Sequence, residues 1–298
     1  MDSPFACAYT VPGLTSFRTK DSTQLFRIAT LALLLLLPAP RISSEPSVKG
    51  QSSPAPQTVS SPAASQQSAL IGDLVYANRI LYDQGVMDGF GHVSVRDEKN
   101  PAHFLLSRSM APGLVTTKDI LEYDLEGAPI DSGGRAVYLE RFIHAAIYRA
   151  RPDVKAVVHS HSPSLIAFSV TGTSLRPVYH LASFLGSGTP IFDIRDAAGM
   201  TDMLIRDNRL GDALAKTLGD KPVALMRGHG SVVVGNSIPQ AVYRVIYTDI
   251  NARLQSEAAR LGTIAFLSPE EAAKSAAMLD AQVPRAWELW KSRIGKIE

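Results

Sequence analysis

The sequence predicts an α/β layered domain that begins near residue 69. Segments with apolar residues at helical spacing alternate with short strand-like segments, and this alternation is typical of helices packed on a sheet. About 230 residues follow position 68 without an internal linker or a repeat, which favours one domain. The short strand–turn–strand pieces indicate mixed or antiparallel pairing.

The first part of this domain is predicted to contain one helix and three strands. Apolar residues recur at helical spacing over residues 70–81, and Gly85 stands where a helix C-cap belongs. Residues 90–96 alternate in polarity as a strand does. The short runs 103–107 and 120–124 are interpreted as the next two strands.

The middle of the domain continues this alternation. Residues 136–150 carry an apolar stripe at helical spacing, and an apolar strand follows over 154–159. The Ser-Pro pair at 162–163 is predicted to provide the N-cap and the first residue of the helix that follows this strand. A strand is predicted over 190–194, followed by helical sequence up to Leu218.

Two more strands and two more helices complete the predicted domain. The strands 222–226 and 231–234 flank a tight Arg-Gly-His-Gly turn. A long helix with proline in its first turn is predicted over 238–261. Residues 268–271 read Ser-Pro-Glu-Glu, and this order of cap, proline and acidic first turn predicts a further helix.

Composition excludes several classes of function. The chain has 298 residues, 30 Lys+Arg, 28 Asp+Glu and one cysteine, Cys7. Residues 1–68 hold five of the basic and three of the acidic residues, so 25 of each remain in the rest of the chain. A neutral domain is not typical of nucleic-acid binders, and no nucleic-acid partner is expected. A single cysteine excludes a disulfide framework and a cysteine-based zinc cluster.

Residues 1–42 are predicted to be a signal peptide or an N-terminal hydrophobic leader. Arg18, Lys20 and Arg27 precede an apolar run over residues 28–37. Basic residues followed by an apolar run of this length are typical of a secretory signal. The sequence therefore predicts an exported, periplasmic protein. A retained anchor, a short buried helix or a misassigned start remain as alternatives, and without a true signal the protein would be cytoplasmic.

Residues 43–68 are predicted to be a disordered linker. The segment consists almost entirely of Ser, Pro, Ala and Gln, and such sequence cannot bury enough apolar surface to offset the entropy of ordering. Residues 69–298 are then predicted to form the folded domain that carries the functional site.

Three histidines and one glutamate are candidates for a metal site. His159 and His161 stand at the end of a predicted strand, where residues i and i+2 point to the same face. His229 lies between two glycines in a predicted turn. Glu140 interrupts an apolar stretch, and a carboxylate there is costly unless it has a partner. Three neutral imidazoles with an open position are typical of a catalytic metal site.

Taken singly, each of these features has a simpler interpretation. A lone His-x-His on a strand is more often a surface feature, and a lone helical glutamate is more often solvated. His-x-His also occurs in cupins, but there the carboxylate usually follows the pair and the domain is all-β. Here Glu140 precedes the pair and long helices surround it.

Five segments between residues 70 and 265 resemble the class II aldolase/adducin family. These are Gly91-His92-Val93-Ser94-Val95-Arg96, Leu105-Leu106-Ser107-Arg108, Glu140-Arg141-Phe142-Ile143-His144, Val157-Val158-His159-Ser160-His161 and Arg227-Gly228-His229-Gly230. The resemblance implies a three-layer α/β/α sandwich with a central, largely antiparallel sheet. It also implies a homotetramer with active sites between subunits.

The resemblance assigns roles to the four candidate residues. It implies that His159, His161 and His229 are metal ligands, and that Glu140 is the catalytic acid/base and a further ligand. The metal implied is most often Zn²⁺, with Mn²⁺ or another divalent ion in some branches. Burial would raise the pKa of Glu140, whereas the charge of a metal would lower it.

The sequence is less similar to the sugar-phosphate aldolases of the family than to its decarboxylases. Where those aldolases hold phosphate with a pair of serines, this chain has Tyr138 and Leu139. His92, Arg108 and Ser107 are instead candidates to bind a substrate carboxylate. The expected function is metal-dependent decarboxylation of a small hydroxy-aromatic or hydroxy/keto carboxylate. An aldolase for a sugar or hydroxy-keto acid and a metal-free, adducin-like binding module are the alternatives.

Overall fold

The computed structural model describes residues 62–297, with side chains from residue 65. The predicted leader and residues 43–61 of the predicted linker lie outside the described residues. Within residues 62–297, no helix is both long and apolar enough to cross a membrane.

Eight α-helices and seven strands follow one another along the described chain. In order they are α1 (Pro62–Asp83), β1 (His92–Arg96), β2 (His103–Ser107), β3 (Ile120–Asp124), α2 (Arg141–Ala150), β4 (Ala156–Ser160), α3 (Pro163–Ser169), β5 (Ile191–Phe192), α4 (Ile194–Ala198), α5 (Asn208–Leu218), β6 (Val223–Met226), β7 (Gly230–Gly235), α6 (Ile238–Leu261), α7 (Pro269–Leu279) and α8 (Val283–Ile294).

The seven strands form one sheet in the order β3-β2-β1-β4-β7-β6-β5. Every neighbouring pair is antiparallel except β5 with β6. The central position of β4 places it between β1 and β7, with His92 paired to His159 and Ser160 paired to Ser231. Directly paired residues point to the same face of a sheet, so His92 and His159 share one face.

Apolar side chains cover both faces of this sheet. Val93 and Val158 pack with residues of α1, α6 and α8, whereas Leu106 and Val157 pack with residues of α2 and α5. Alternate residues of a strand point to opposite faces, so each strand contributes to two cores. The fold is therefore a three-layer α/β/α sandwich with a largely antiparallel sheet, as predicted.

The predicted end of the linker at residue 68 is corrected, because α1 begins at Pro62. Proline is favoured at the first position of a helix, and the alanines and glutamines that follow are strong helix formers. The Gln66 side-chain amide donates to the Glu98 carboxylate over 2.8 Å. Low hydrophobicity therefore did not prevent helix formation in the last seven residues of this segment.

Two other predicted elements differ from the structure. The helix predicted over 136–150 begins only at Arg141, after Glu140 with φ −90° and ψ 19°. The helical sequence predicted from 194 to 218 is two helices. They are separated at residues 199–207, where Gly199 and Met203 have positive φ angles of 69° and 72°. These conformations end a right-handed helix.

Candidate metal centre

The strands around β4 bring the candidate ligands to one end of the sheet. His159 is the fourth residue of β4, and His161 follows its last residue. His229 lies in the turn between β6 and β7. A Cβ atom on Gly230 would lie 2.1 Å from the carbonyl oxygen of Ser160. Only glycine therefore permits the close approach that places His229 beside the end of β4.

The three imidazoles and the Glu140 carboxylate converge on one point. One ligand atom from each of the four residues lies within 4.8 Å of the others. His161 Nε2 is 3.0 Å from His159 Nε2 and 3.2 Å from His229 Nε2. Glu140 Oε2 is 3.6 Å from His159 Nε2 and 3.5 Å from His229 Nε2. Ligand atoms at about 2.0–2.1 Å from a tetrahedral Zn²⁺ are about 3.3 Å apart, so the four atoms fit a divalent cation.

Backbone carbonyl groups fix the tautomers of two of these histidines. His159 Nδ1 donates to the carbonyl oxygen of Ser231 over 3.0 Å, and His229 Nδ1 donates to that of Met203 over 3.1 Å. Both Nε2 atoms therefore present lone pairs. Burial, followed by the other two histidines, lowers the pKa of His161 to about 4. Neutral imidazoles whose lone pairs converge repel one another unless a cation lies between them.

Glu140 is an ionised carboxylate in a nearly closed environment. It is 7% exposed, and its Oε1 accepts from the backbone N–H of Ile205 over 3.0 Å. Burial raises the pKa of Glu140, but hydrogen bonds and positive charge from His159 and His229 in their protonated forms outweigh burial and bring the pKa well below its ordinary value. Positive charge beside Glu140 therefore outweighs burial, and with neutral imidazoles a bound cation would supply that charge.

A cavity of about 360 Å³ adjoins this centre. His92, Glu140 and His161 provide polar groups to its lining, and Phe90 and Leu139 provide apolar surface. The remaining lining residues are Gly89, Gly91, Ser109, Met110, Ala111, Tyr138 and Leu204. A few polar groups in a mostly apolar lining are typical of a small-molecule site.

Tyr138 stands where the resemblance to sugar-phosphate aldolases implies a small hydroxyl residue. Its ring lies against His92, with 4.5 Å between ring centroids. Its hydroxyl donates to the carbonyl oxygen of Met110 over 2.5 Å and accepts from the Met110 N–H over 3.3 Å. Because the backbone already satisfies this hydroxyl, Tyr138 does not offer a phosphate-binding group.

Two of the predicted substrate contacts lie elsewhere. Arg108 Nε donates to Asp119 Oδ1 over 2.7 Å, and Ser107 is fully buried with its hydroxyl 3.4 Å from that of Tyr138. Neither residue lines the cavity. Of the three residues predicted to bind the substrate, the structure brings only His92 to the cavity next to the metal candidates.

Sequence reasoning missed three polar residues behind His92. His144 is fully buried and contacts both His92 and Ser94 at 2.6 Å. The Tyr148 hydroxyl lies 2.8 Å from Ser94. Burial, followed by the charge of His159, lowers the pKa of His144 to about 3. The available signal was the position of His144 next to the apolar stripe of its helix, where an unpartnered imidazole would be costly.

Comparison with known proteins identifies the family. Residues 72–256 match the family described as Class II Aldolase and Adducin N-terminal domain. The chain belongs to this family. It is 37% identical over 235 residues to Decarboxylase tropJ of Talaromyces stipitatus, covering 71% of this chain and 88% of that protein. It is 32% identical over 204 residues to 3,4-dihydroxyphthalate decarboxylase of Arthrobacter keyseri, covering 63% and 78% respectively.

Solved structures of class II aldolases have the same fold. The L-fuculose 1-phosphate aldolase from Glaciozyma antarctica PI12 superposes with a TM-score of 0.65 and 26% identity, over 79% of this chain and 93% of that one. The resemblance inferred from the sequence is thus confirmed. The family is generally dependent on a divalent metal, and the His/Glu cluster stands where such an ion can bind.

Proposed function

We propose that the protein is a divalent-metal-dependent carbon–carbon lyase that decarboxylates a small hydroxy-aromatic carboxylate. The convergence of three imidazoles and Glu140 beside a largely apolar cavity is the observation that carries this proposal. The filling of the phosphate position by Tyr138 and the similarity to two decarboxylases support the substrate class.

The residues of the site divide the chemistry between them. His159, His161 and His229 hold the cation, which would supply Lewis acidity toward adjacent oxygens of the substrate. The ionised Glu140 accepts the proton of a substrate hydroxyl. As the bond to CO₂ breaks, its electron pair stays on the ring carbon, and Glu140 returns the proton to that carbon. His92, whose ring centroid lies 5.1 Å from that of His159, binds the carboxylate beside the cation.

Metal analysis combined with a CO₂ assay tests this function. We expect stoichiometric divalent metal in the purified protein and release of CO₂ from 3,4-dihydroxyphthalate. A His159→Ala/His161→Ala variant should lose both properties. The absence of any bound or bindable metal would contradict the proposal.

A class II aldolase acting on a sugar or hydroxy-keto acid is the second candidate. It is favoured by the similarity of the fold to L-fuculose 1-phosphate aldolase. The two reactions share a metal and a proton-transferring carboxylate, and differ in the group that leaves. Release of an aldehyde from ketose phosphates, without CO₂ from hydroxy-aromatic acids, would establish the aldolase.

A metal-free binding module of the adducin type is the third candidate, since the family description includes adducin. A module of this kind would bind no metal, and replacement of His229 would leave its stability unchanged. The convergence of the four side chains favours the enzyme.

We propose Zn²⁺ as the resident metal and a homotetramer as the assembly. Zinc is preferred because three of the four ligands are imidazoles, with Mn²⁺ or another divalent ion as the alternative. Phe90 and Leu139 border the cavity and are 70% and 56% exposed, and a neighbouring subunit would cover them. Light scattering after size-exclusion chromatography measures the assembly, and a monomer would contradict it.

We also propose that the protein is exported. The support is the apolar run at residues 28–37 after three basic residues. N-terminal sequencing of the mature protein from its native host tests this, and an intact Met1 on a cytosolic product would refute it.

A further inference from the structure

His92 is the outer end of a chain of buried hydrogen bonds between β1 and α2. Its Nδ1 lies 2.6 Å from His144 Nε2, and His144 Nδ1 lies 2.6 Å from Ser94 Oγ. Ser94 Oγ in turn lies 2.8 Å from the Tyr148 hydroxyl. A neutral imidazole donates from one nitrogen and accepts at the other. The three hydrogen bonds must therefore have the same polarity, so that every donor faces either His92 or Tyr148.

Tyr148 sets this direction. Its hydroxyl lies 2.8 Å from Ser94 Oγ but 3.5 Å from the carbonyl oxygen of Lys155, at the outer limit of a hydrogen bond. The phenolic hydrogen therefore goes to Ser94, whose own hydrogen goes to His144 Nδ1. His144 then donates from Nε2 to His92 Nδ1. The remaining hydrogen of His92 is left on Nε2.

We infer that this chain holds His92 as a neutral hydrogen-bond donor, with its hydrogen on Nε2 and available to the cavity. Among the described residues, His92 Nε2 has no hydrogen-bond partner, and His92 lines the cavity. A donor at this position binds an anionic oxygen. Its assignment to the substrate carboxylate rests on the proposed function. Ser94, His144 and Tyr148 are then positioning residues for His92.

This chain of hydrogen bonds orients His92 but does not pass protons to it. To release its proton, Tyr148 would have to become a phenolate in a buried site, and burial raises the pKa of Tyr148 above its ordinary value. The hydrogens therefore keep one arrangement throughout a reaction cycle. Proton transfer to the substrate remains with Glu140, and His92 does not compete for that proton.

Histidine ring ¹⁵N NMR of the zinc-loaded protein tests the arrangement directly. The spectra distinguish the Nε2–H from the Nδ1–H tautomer, and signals are assigned by their loss in His92→Gln and His144→Gln. We expect the Nε2–H tautomer for both His92 and His144. A His92 ring with its hydrogen on Nδ1, or one that exchanges between tautomers, would overturn the inference.

Ligand binding tests the consequence for recognition. Tyr148→Phe removes the hydroxyl that sets the direction, and we expect about three- to tenfold weaker binding of phthalate, with catechol, which has no carboxylate, changed less than about twofold. Tyr123→Phe is the matched control, because the Tyr123 hydroxyl is buried on the same side of the sheet without a partner in the described residues. It should leave both affinities unchanged.

Two results would overturn the assignment of the carboxylate to His92. One is equal weakening of phthalate and catechol in Tyr148→Phe, and the other is no phthalate binding to the unmodified protein. Neither measurement requires turnover. Failure of the CO₂ assay alone would therefore contradict the proposed function without affecting the hydrogen-bond chain.

Discussion

At the scale of single residues, Glu140 combines burial with ionisation. Glu140→Gln keeps the size of the side chain and an oxygen for the N–H of Ile205, but an amide cannot carry a proton between substrate atoms. We expect kcat for CO₂ release to fall about 10²–10⁴-fold. Glu122→Gln, on a half-buried carboxylate of β3 that contacts His103, is the control. A kcat for Glu140→Gln within about tenfold of the unmodified protein would contradict the proton-transfer role.

A second residue-scale prediction concerns His161. Bound metal stabilises the folded protein by about 2.7 kcal/mol at 100 times its Kd, which corresponds to about 5–10 °C in Tm for a domain of this size. We expect this shift on adding zinc to protein treated with a chelator, and its loss in His161→Ala. His180→Ala, at an exposed histidine outside the cluster, should keep the shift. If it survives in His161→Ala, His161 is not a ligand.

At the scale of elements, the contact between β7 and β4 is a steric requirement of the site. A Cβ on Gly230 would meet the Ser160 carbonyl oxygen at 2.1 Å, so Gly230→Ala must displace the turn that carries His229. We expect a loss of about 1–3 kcal/mol in the free energy of unfolding together with weaker zinc binding. Urea unfolding and metal titration measure these effects.

Gly72→Ala in α1 is the control for that substitution. A Cβ on Gly72 would lie 3.7 Å from Ile297, an ordinary contact, and alanine favours the helix by about 0.5–1 kcal/mol. This variant should be as stable as the unmodified protein or more so, with unchanged metal binding. A Gly230→Ala protein with normal zinc affinity would show that the close approach is not needed.

The pair of Arg108 and Asp119 makes a pH-dependent contribution to stability. Burial raises the pKa of Asp119, but hydrogen bonds from Thr116 and Arg108 lower it by more. The net result is a pKa below its ordinary value. A carboxyl group whose pKa is lower in the folded state contributes its full stabilisation at pH values above the pKa that it has in the unfolded chain, about 3.9. This stability is lost as the pH falls through the folded pKa.

Asp119→Asn should therefore destabilise the protein at neutral pH by about 1 kcal/mol. The difference should disappear as the pH falls below about 4. Glu288→Gln, at an exposed residue of α8, should have no effect across this range. Urea unfolding at a series of pH values measures the difference, and a constant difference at all values would exclude the carboxylate as its source.

The elements show which features can be predicted from one sequence. The strands and α6 follow from local patterns of apolar residues, and the candidate ligands follow from His-x-His, the Gly-His-Gly turn and a carboxylate in an apolar run. The start of α2 does not, because the apolar spacing continues through Val137 and Leu139 into residues that are not helical. The helix begins only after Glu140, whose carboxylate accepts a hydrogen bond from the distant Ile205 N–H.

Contacts between distant segments account for what the sequence did not predict. Arg108 was expected in the substrate site as a free guanidinium, but a 3₁₀ turn at residues 117–119 brings Asp119 to it. His144 contacts both His92 and Ser94, which lie about fifty residues earlier on β1. Neither pairing leaves a periodic signal, because each depends on which elements become neighbours in the fold.

At the scale of the whole molecule, both hydrophobic cores and all four candidate ligands lie within residues 62–297. A protein comprising residues 62–298 should therefore fold and bind zinc with the affinity of the full chain. Removal of α1 in a protein comprising residues 85–298 should abolish folding, because Leu74, Ile80 and Leu81 are fully buried on the sheet, and each contributes about 1.5–3 kcal/mol. Thermal unfolding and zinc titration compare the three proteins. If residues 62–298 failed to fold, the N-terminal segment would be part of the structural unit rather than an addition to it.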